Sequence, residues 1–376
     1  MSKRVCIIQP VMKQYRLPFF TALYALLARE GIDLQVVYGT PWQEESRRND
    51  HATLPPPLGL LVKTRLLGGK LLWMPVLKPL LAADLVVVEH ANKHLLNYLL
   101  AALSRVGLKR VAYWGHGHDR QAAPASLGER LKRHSLHWAD WWFAYTADAA
   151  RYITQQGFDS ARITVVQNAI DTDALRAQLA AVTDADRTRL RAGLGWPDES
   201  RIAIYCGSLY ENKRLDWLME AAERLHARHP GFRLLIVGGG PMGQQVEDFA
   251  RPRDWVHWAG PKFGREKAEL LSLAEMWLNP GLVGLGILDA FCARLPLLTT
   301  DLPQHGPEIE YLEPGKNGLI AEPKAMAFAD AIESLLGDPV GLAAMRAEAE
   351  SSSHRYSIGA MAENFSGGVK QCLRLC

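Results

Sequence analysis

Ile202-Ala-Ile-Tyr-Cys206, then Gly207-Ser-Leu-Tyr-Glu-Asn-Lys-Arg214, then Leu215, Leu218, Met219, Ala222 and Leu225 on one helical face: this stretch decides the fold. A short apolar run passes through a polar, glycine-led loop into an amphipathic helix, which is how a β–α unit opens. The pattern recurs in both directions. Downstream, strands are predicted over 233–237, 256–258, 276–278, 296–299 and 318–320; upstream, over 5–8, 34–38, 85–89, 110–114, 142–145 and 163–167. Between the first two upstream strands, Pro18 opens a helix with Phe20, Leu23, Tyr24 and Leu27 at i, i+3, i+4, i+7 spacing. Alternation of this kind requires parallel sheets with helices on both faces. It occurs twice, so the expectation is an α/β chain of two doubly wound, Rossmann-like domains facing across a cleft, divided near 170–173.

The 376 residues suit about two domains with separate cores. Five scattered cysteines (6, 206, 292, 372 and 376), with no CxxC pair, argue against a disulfide framework or zinc site and for a reducing, cytoplasmic address. Lys3-Arg4 precede an apolar run too short for a signal peptide, and no stretch is long and apolar enough to span a membrane. The net charge of +3 hides an asymmetry. Residues 1–178 hold 22 Lys/Arg against 14 Asp/Glu (+8), whereas residues 179–376 carry −5. The basic half is expected to meet something anionic, a lipid surface or a phosphorylated substrate. Its basic residues are dispersed rather than clustered, so nucleic acid is not expected as a partner.

Residues 41–80 break the alternation. After Pro55-Pro56-Pro57 they mix Leu66, Leu67, Leu71, Leu72, Trp73 and Met74 with Lys63, Arg65, Lys70 and Lys78. Such a segment suits a membrane interface, or a loop and helix covering the core.

In a doubly wound sheet the loops at the carboxyl edge bind ligands. Lys213, in the loop after the strand quoted above, is placed to neutralise a diphosphate, although a solvated loop lysine fits the spacing equally well. Gly238-Gly239-Gly240-Pro241 follows the next strand and frees the backbone for a sharp turn or close ligand approach, without the full dinucleotide-binding spacing. The richest segment is Asn279-Pro-Gly-Leu-Val-Gly-Leu-Gly-Ile-Leu-Asp-Ala-Phe291. Its glycines lead into a helix predicted over 286–293, whose N–H groups and positive end suit phosphate oxygens. Asp289 lies in the first turn, within reach of a ribose or simply complementing the helix dipole.

These motifs, in this order, resemble the GT-B fold retaining glycosyltransferases of family four, the nucleotide-sugar-dependent group 1 enzymes. The likeness runs from Gln167-Asn168-Ala169-Ile170-Asp171 through the 207–214, 238–241 and 281–296 segments. It continues through Pro307-Glu308-Ile309-Glu310 and Gly315-Lys316-Asn317-Gly318 to Tyr356-Ser357-Ile358. It implies an acceptor-binding domain over 1–172, a nucleotide-sugar-binding domain over 173–355, and a helix over 356–376 returning to the first domain. The donor site it implies comprises Gly207, Ser208, Lys213, Arg214, Gly238, Gly240, Leu282, Val283, Gly284, Leu285, Gly286, Ile287 and Asp289. That family carries two glutamates eight positions apart. Here the first falls on Gly281 and the second on Asp289, and Ser208 stands where many relatives have an arginine.

The resemblance also puts a catalytic-region histidine after the fourth strand, and His116, flanked by Gly115 and Gly117, fits it. Lys213 and Asp289 complete the expected catalytic set. Arg16, Glu89, His90, His118 and Arg120 are the acceptor-binding candidates. No cofactor or metal is expected: two histidines one residue apart lack a completing ligand set here. The implied partners are a nucleotide sugar and a glycan acceptor linked to a polyprenyl diphosphate, met at the inner face of a plasma membrane during surface-polysaccharide assembly. Rival readings are a sugar-nucleotide epimerase on the same fold and an inactive donor-binding subunit.

Overall fold

A computed structural model describes residues 2–46, 50–117 and 127–374. The chain forms two compact units, Met1–Asp171 with Ile358–Cys376, and Thr172–Ser357. The first unit contains strands β1 (Lys3–Gln9), β2 (Ile32–Gly39), β3 (Gly59–Val62), the hairpin β4 (Arg65–Leu67) and β5 (Leu71–Trp73), β6 (Leu85–Glu89), β7 (Arg110–Gly115), β8 (Trp141–Ala144) and β9 (Ile163–Val165). Apart from the hairpin they form one parallel sheet ordered β3-β2-β1-β6-β7-β8-β9. Its middle strands are apolar without alternation, as in Leu85-Val-Val-Val88, because helices bury both faces of a parallel sheet.

The second unit holds β10 (Arg201–Cys206), β11 (Phe232–Val237), β12 (Val256–Gly260), β13 (Met276–Leu278), β14 (Leu297–Thr300) and β15 (Gly318–Ala321). They too run parallel, ordered β12-β11-β10-β13-β14-β15. Each sheet therefore reverses its strand order beside its first strand, between β1 and β6 and between β10 and β13. Crevices at the carboxyl ends of such strand pairs are where open α/β sheets take ligands.

The 3.6-residue periodicity after β10 becomes the helix Leu215–Arg228, which buries Met219 and places Leu215, Leu218, Ala222 and Leu225 in one core with Tyr205 and Ile236. In the first unit the last helix, Ile358–Arg374, closes the core. Phe365 stacks on Phe143 at 4.0 Å and meets Phe19 and Trp114 edge-on. Gly368 lets that helix approach, since a Cβ there would lie 2.3 Å from Thr164 Oγ1. Burying one phenylalanine contributes about 1.5–3 kcal/mol.

The segment 41–80 covers the core, as one of the two expectations had it, with the short helix Leu77–Ala82 at its end, but strands not expected there stand before it. The segment supplies β3, which pairs with β2 at the sheet edge, and the antiparallel hairpin β4–β5. Leu72, Met74, Val76 and Leu80 point into the core, while Leu66, Leu67, Leu71, Leu77 and Leu81 stand exposed. Among the described residues no helix is long and apolar enough to cross a membrane.

Candidate functional site

The loops following β10 and β13 meet at the order reversal of the second sheet. The Leu282 N–H donates to the Asn212 carbonyl at 2.8 Å, and Lys213 Nζ donates to the Leu282 carbonyl at 2.5 Å. Gly281 is the point of closest approach. A Cβ built there would lie 2.2 Å from the Lys213 carbonyl carbon, so no side chain fits where the family's first glutamate falls. Burial pulls the Lys213 pKa down to about 8, with Glu308 opposing the shift. A lysine poised between charged and neutral is thus packed into the crevice.

The 281–287 segment divides its N–H groups. Leu282 bonds to Asn212, Val283 donates to His305 Nδ1 at 3.0 Å, and Ile287 donates to the Gly284 carbonyl at 3.2 Å. Those of Gly284, Leu285 and Gly286 donate to nothing among the described residues, and the three residues are partly exposed. Of the expected phosphate-contacting backbone, Leu282, Val283 and Ile287 are therefore spent internally, and only the middle three N–H groups are available. The helix that follows runs Gly286–Cys292, one residue shorter than expected.

Further donor-site candidates have contacts of their own. Gly238 and Gly240, both at positive φ, allow close contact between loops. A Cβ on Gly238 would lie 1.8 Å from the Gly207 carbonyl oxygen, and one on Gly240 2.7 Å from that of Leu209. Arg214 caps the helix Leu215–Arg228 in a left-handed conformation, its guanidinium bonded to Asp216 at 2.8 and 3.0 Å and stacked on Trp217 at 3.6 Å. Ser208 is exposed, and its carbonyl, not its hydroxyl, is engaged, accepting from Tyr205 Oη.

Asp289 faces Lys267, a residue that sequence reasoning missed. Lys267 Nζ donates to Asp289 Oδ2 at 2.7 Å, with both side chains largely buried. Burial works against the Lys267 charge, but Asp289, with Cys206 and Cys292 adding to it, raises its pKa overall. The lysine sits in Gly264-Arg-Glu-Lys-Ala-Glu269, which reads as an ordinary solvated face. His305 was missed for a similar reason, as a lone histidine in a loop. Because Val283 N–H donates to its Nδ1, the ring proton sits on Nε2 and is donated to the Thr300 carbonyl at 2.7 Å. Gly306 N–H in turn donates to the Val283 carbonyl, and Thr300 Oγ1 to that of Pro280. The loop carrying the three available amides is thus braced from β14.

In the first unit His116 follows β7, partly exposed, its ring 4.5 Å from that of Tyr145. Arg16, expected to meet an acceptor phosphate, is instead buried. Its guanidinium bonds to Asn168 Oδ1 at 2.9 Å and Tyr145 Oη at 3.4 Å, and lies over the Trp114 ring. It braces the floor under His116 and does not face solvent. His90, expected at acceptor hydroxyls, is enclosed as well: Nε2 bonds to Ser135 Oγ at 2.8 Å between the rings of Tyr113 and Trp142. Burial lowers its pKa to about 3. Glu89 keeps an open carboxylate at the end of β6. His118 and Arg120 lie outside the described residues. Elsewhere Glu45, Asp50 and His51 bring metal-ligating atoms together, but Lys13 already bonds both carboxylates.

Comparison with known proteins follows this division of the chain. Residues 19–174 match the family described as Glycosyltransferase Family 4, and residues 200–338 match Glycosyl transferases group 1. Alpha-D-kanosaminyltransferase of Streptomyces kanamyceticus is 26% identical over 80% of this chain and 74% of its own length. Other curated glycosyltransferases match over only 47% and 45% of their length. The crystal structure of Anabaena Alr3699/HepE in complex with UDP superposes with a TM-score of 0.69 at 15% identity, covering 98% of this chain and 99% of that one. The apo lipopolysaccharide outer core galactosyltransferase WaaB superposes at 0.62 and 14%, over 98% and 99%.

Proposed function

Since the chain belongs to the group 1 and family 4 glycosyltransferases of the GT-B type, we propose that its second unit binds a nucleoside-diphosphate sugar and its first unit a glycan acceptor. The sugar passes to an acceptor hydroxyl with its anomeric configuration retained. The observation that carries this reading is Lys213 bonded to the Leu282 carbonyl, at the start of the loop whose Gly284, Leu285 and Gly286 amides stay without acceptors among the described residues, at the order reversal of the second sheet. A cation and free N–H donors there suit two linked phosphates. Structural neighbours crystallised with UDP and UDP-glucose add support for the nucleotide class.

In the reaction the bond between C1 and the β-phosphate oxygen breaks while the acceptor oxygen bonds C1 from the same face. The acceptor's proton passes to the departing phosphate oxygen. What the protein must do is stabilise the charge growing on that phosphate, and pre-aimed donors do so without reorganising. Lys213 supplies charge, the three amides supply direction, and Asp289, held by Lys267, accepts from the ribose hydroxyls. His116 stands at the carboxyl edge of the first sheet, where the acceptor hydroxyl is received.

The acceptor is a lipid-linked saccharide of a surface polysaccharide, reached from the inner face of the plasma membrane. Support comes from the +8 charge of residues 1–178 and from exposed Leu66, Leu67 and Leu71 beside Lys63, Arg65 and Lys70. Incubation with UDP- and GDP-sugars tests the donor half. Saturable binding of one nucleotide that Lys213→Glu abolishes in a folded protein is expected, and unchanged affinity in that variant refutes it. For the membrane half, co-sedimentation with anionic but not neutral vesicles at low salt is expected, and equal partition refutes it.

A further inference from the structure

At the order reversal of the first sheet, Ile8 of β1 lies opposite Val88 of β6. Above their carboxyl ends is a small pocket walled by Ile8, Pro10, Leu72, Met74, Val88 and Leu96, with room for one or two water-sized groups. It admits the end of one ligand arm and no more. Two polar side chains complete the lining, His94 and Asn97, respectively 7% and 5% exposed. His94 occupies the cap position of the helix Leu95–Arg105 yet makes no capping bond. Its Nε2 makes no well-formed hydrogen bond: the Glu89 backbone carbonyl interacts with the ring only weakly, and the nearest carboxylate oxygen, also on Glu89, is 3.9 Å away. Asn97 spends both amide hydrogens on the carbonyls of Glu89 and Ala91, at 2.9 and 3.2 Å. Its orientation is thereby fixed, and its Oδ1, also unpartnered, must face the other way.

An unsatisfied buried polar atom is costly, and two lining one pocket make apolar residues the better choice unless an ordered water, or a ligand hydroxyl that displaces it, completes them. Asn97 Oδ1 can only accept. Burial lowers the His94 pKa against the opposing pull of Glu89, and a neutral imidazole can donate from Nε2. Phosphate and carboxylate are disfavoured by the acceptor oxygen and by the Glu89 carboxylate nearby. A neutral hydroxyl on an apolar stem satisfies both atoms at once. We propose that this cavity is a subsite for one hydroxyl-bearing arm of the acceptor sugar, its O–H donating to Asn97 Oδ1 and its oxygen accepting from His94 Nε2–H. The proposal rests on the transferase reading above and adds to it the group that is recognised.

The test uses the full chain with ¹⁵N-labelled histidine and the methyl glycosides of glucose, galactose, mannose and N-acetylglucosamine, each beside its 6-deoxy counterpart. At least one glycoside should shift the His94 Nε2 resonance, and loss of its hydroxyl should weaken binding about five- to tenfold. Leu72→Phe, which fills the cavity and leaves both polar groups in place, should remove that discrimination, whereas His94→Gln should keep part of it. Unchanged His90 and His116 resonances verify that the first unit is folded in each variant, and UDP affinity in the same samples reports on the donor site separately, so failure of UDP to bind counts against the transferase reading. With UDP binding intact, the subsite is overturned if no glycoside moves His94, if the deoxy forms bind equally, or if Leu72→Phe discriminates as before.

Discussion

Raising the pH through 8 should weaken nucleotide-diphosphate binding, and the size of the effect follows from the burial of Lys213. Its free-state pKa of about 8 means roughly nine-tenths of the chains carry the ammonium at pH 7 and about one-tenth at pH 9. A bound diphosphate holds the proton on, so binding at pH 9 must first recharge the lysine. UDP affinity should therefore fall about tenfold between pH 7 and 9, or about 1.4 kcal/mol. Isothermal titration calorimetry in buffers of different ionisation heat measures both the fall and the proton uptake. Lys213→Arg, always charged, should flatten the profile, and Lys213→Gln should flatten it at lower affinity. The unliganded fold responds with the opposite sign. A lysine whose folded pKa lies below its unfolded value of 10.5 makes the folded state more stable as pH rises from about 8 to 10.5. A flat wild-type profile, or the same slope in the arginine variant, refutes the reasoning.

Gly281→Glu, which would supply the family's missing carboxylate, should destabilise the second unit by about 1–3 kcal/mol through overpacking on Lys213, seen as a lowered melting temperature. An unchanged melt contradicts this. His305→Phe strands the Val283 N–H and the Thr300 carbonyl, and should cost about 1–3 kcal/mol in urea unfolding together with some UDP affinity. A double-mutant cycle of Lys267→Met and Asp289→Asn should give a coupling of about 0.5–3 kcal/mol, and additive effects would dissolve the pair.

Much of this architecture is legible in the residues. The run at 85–88 and the periodic helix after Cys206 specify buried parallel strands and covering helices without tertiary information, because local pattern and global burial agree there. β3 was not legible: four residues flanked by Pro55–57 and followed by basic and leucine residues carry no alternation, and only the β2 edge makes them a strand. Site chemistry divides the same way. Lys213 and Asp289 stand out by position after strands, but what each touches depends on partners distant in sequence. Lys267 and His305 look like surface residues until helix and loop bring them onto the crevice. Arg16 and His90 show the converse, polar side chains at a sheet edge that are consumed by Asn168 and Ser135.

The central claim, that Lys213 and three loop amides hold the donor's diphosphate, is tested most directly by titrating ¹⁵N-labelled protein with UDP and following the backbone. Saturable shifts of the Gly284, Leu285 and Gly286 amides, abolished by Lys213→Glu, are predicted. Saturable UDP binding that leaves those three resonances still would contradict the account.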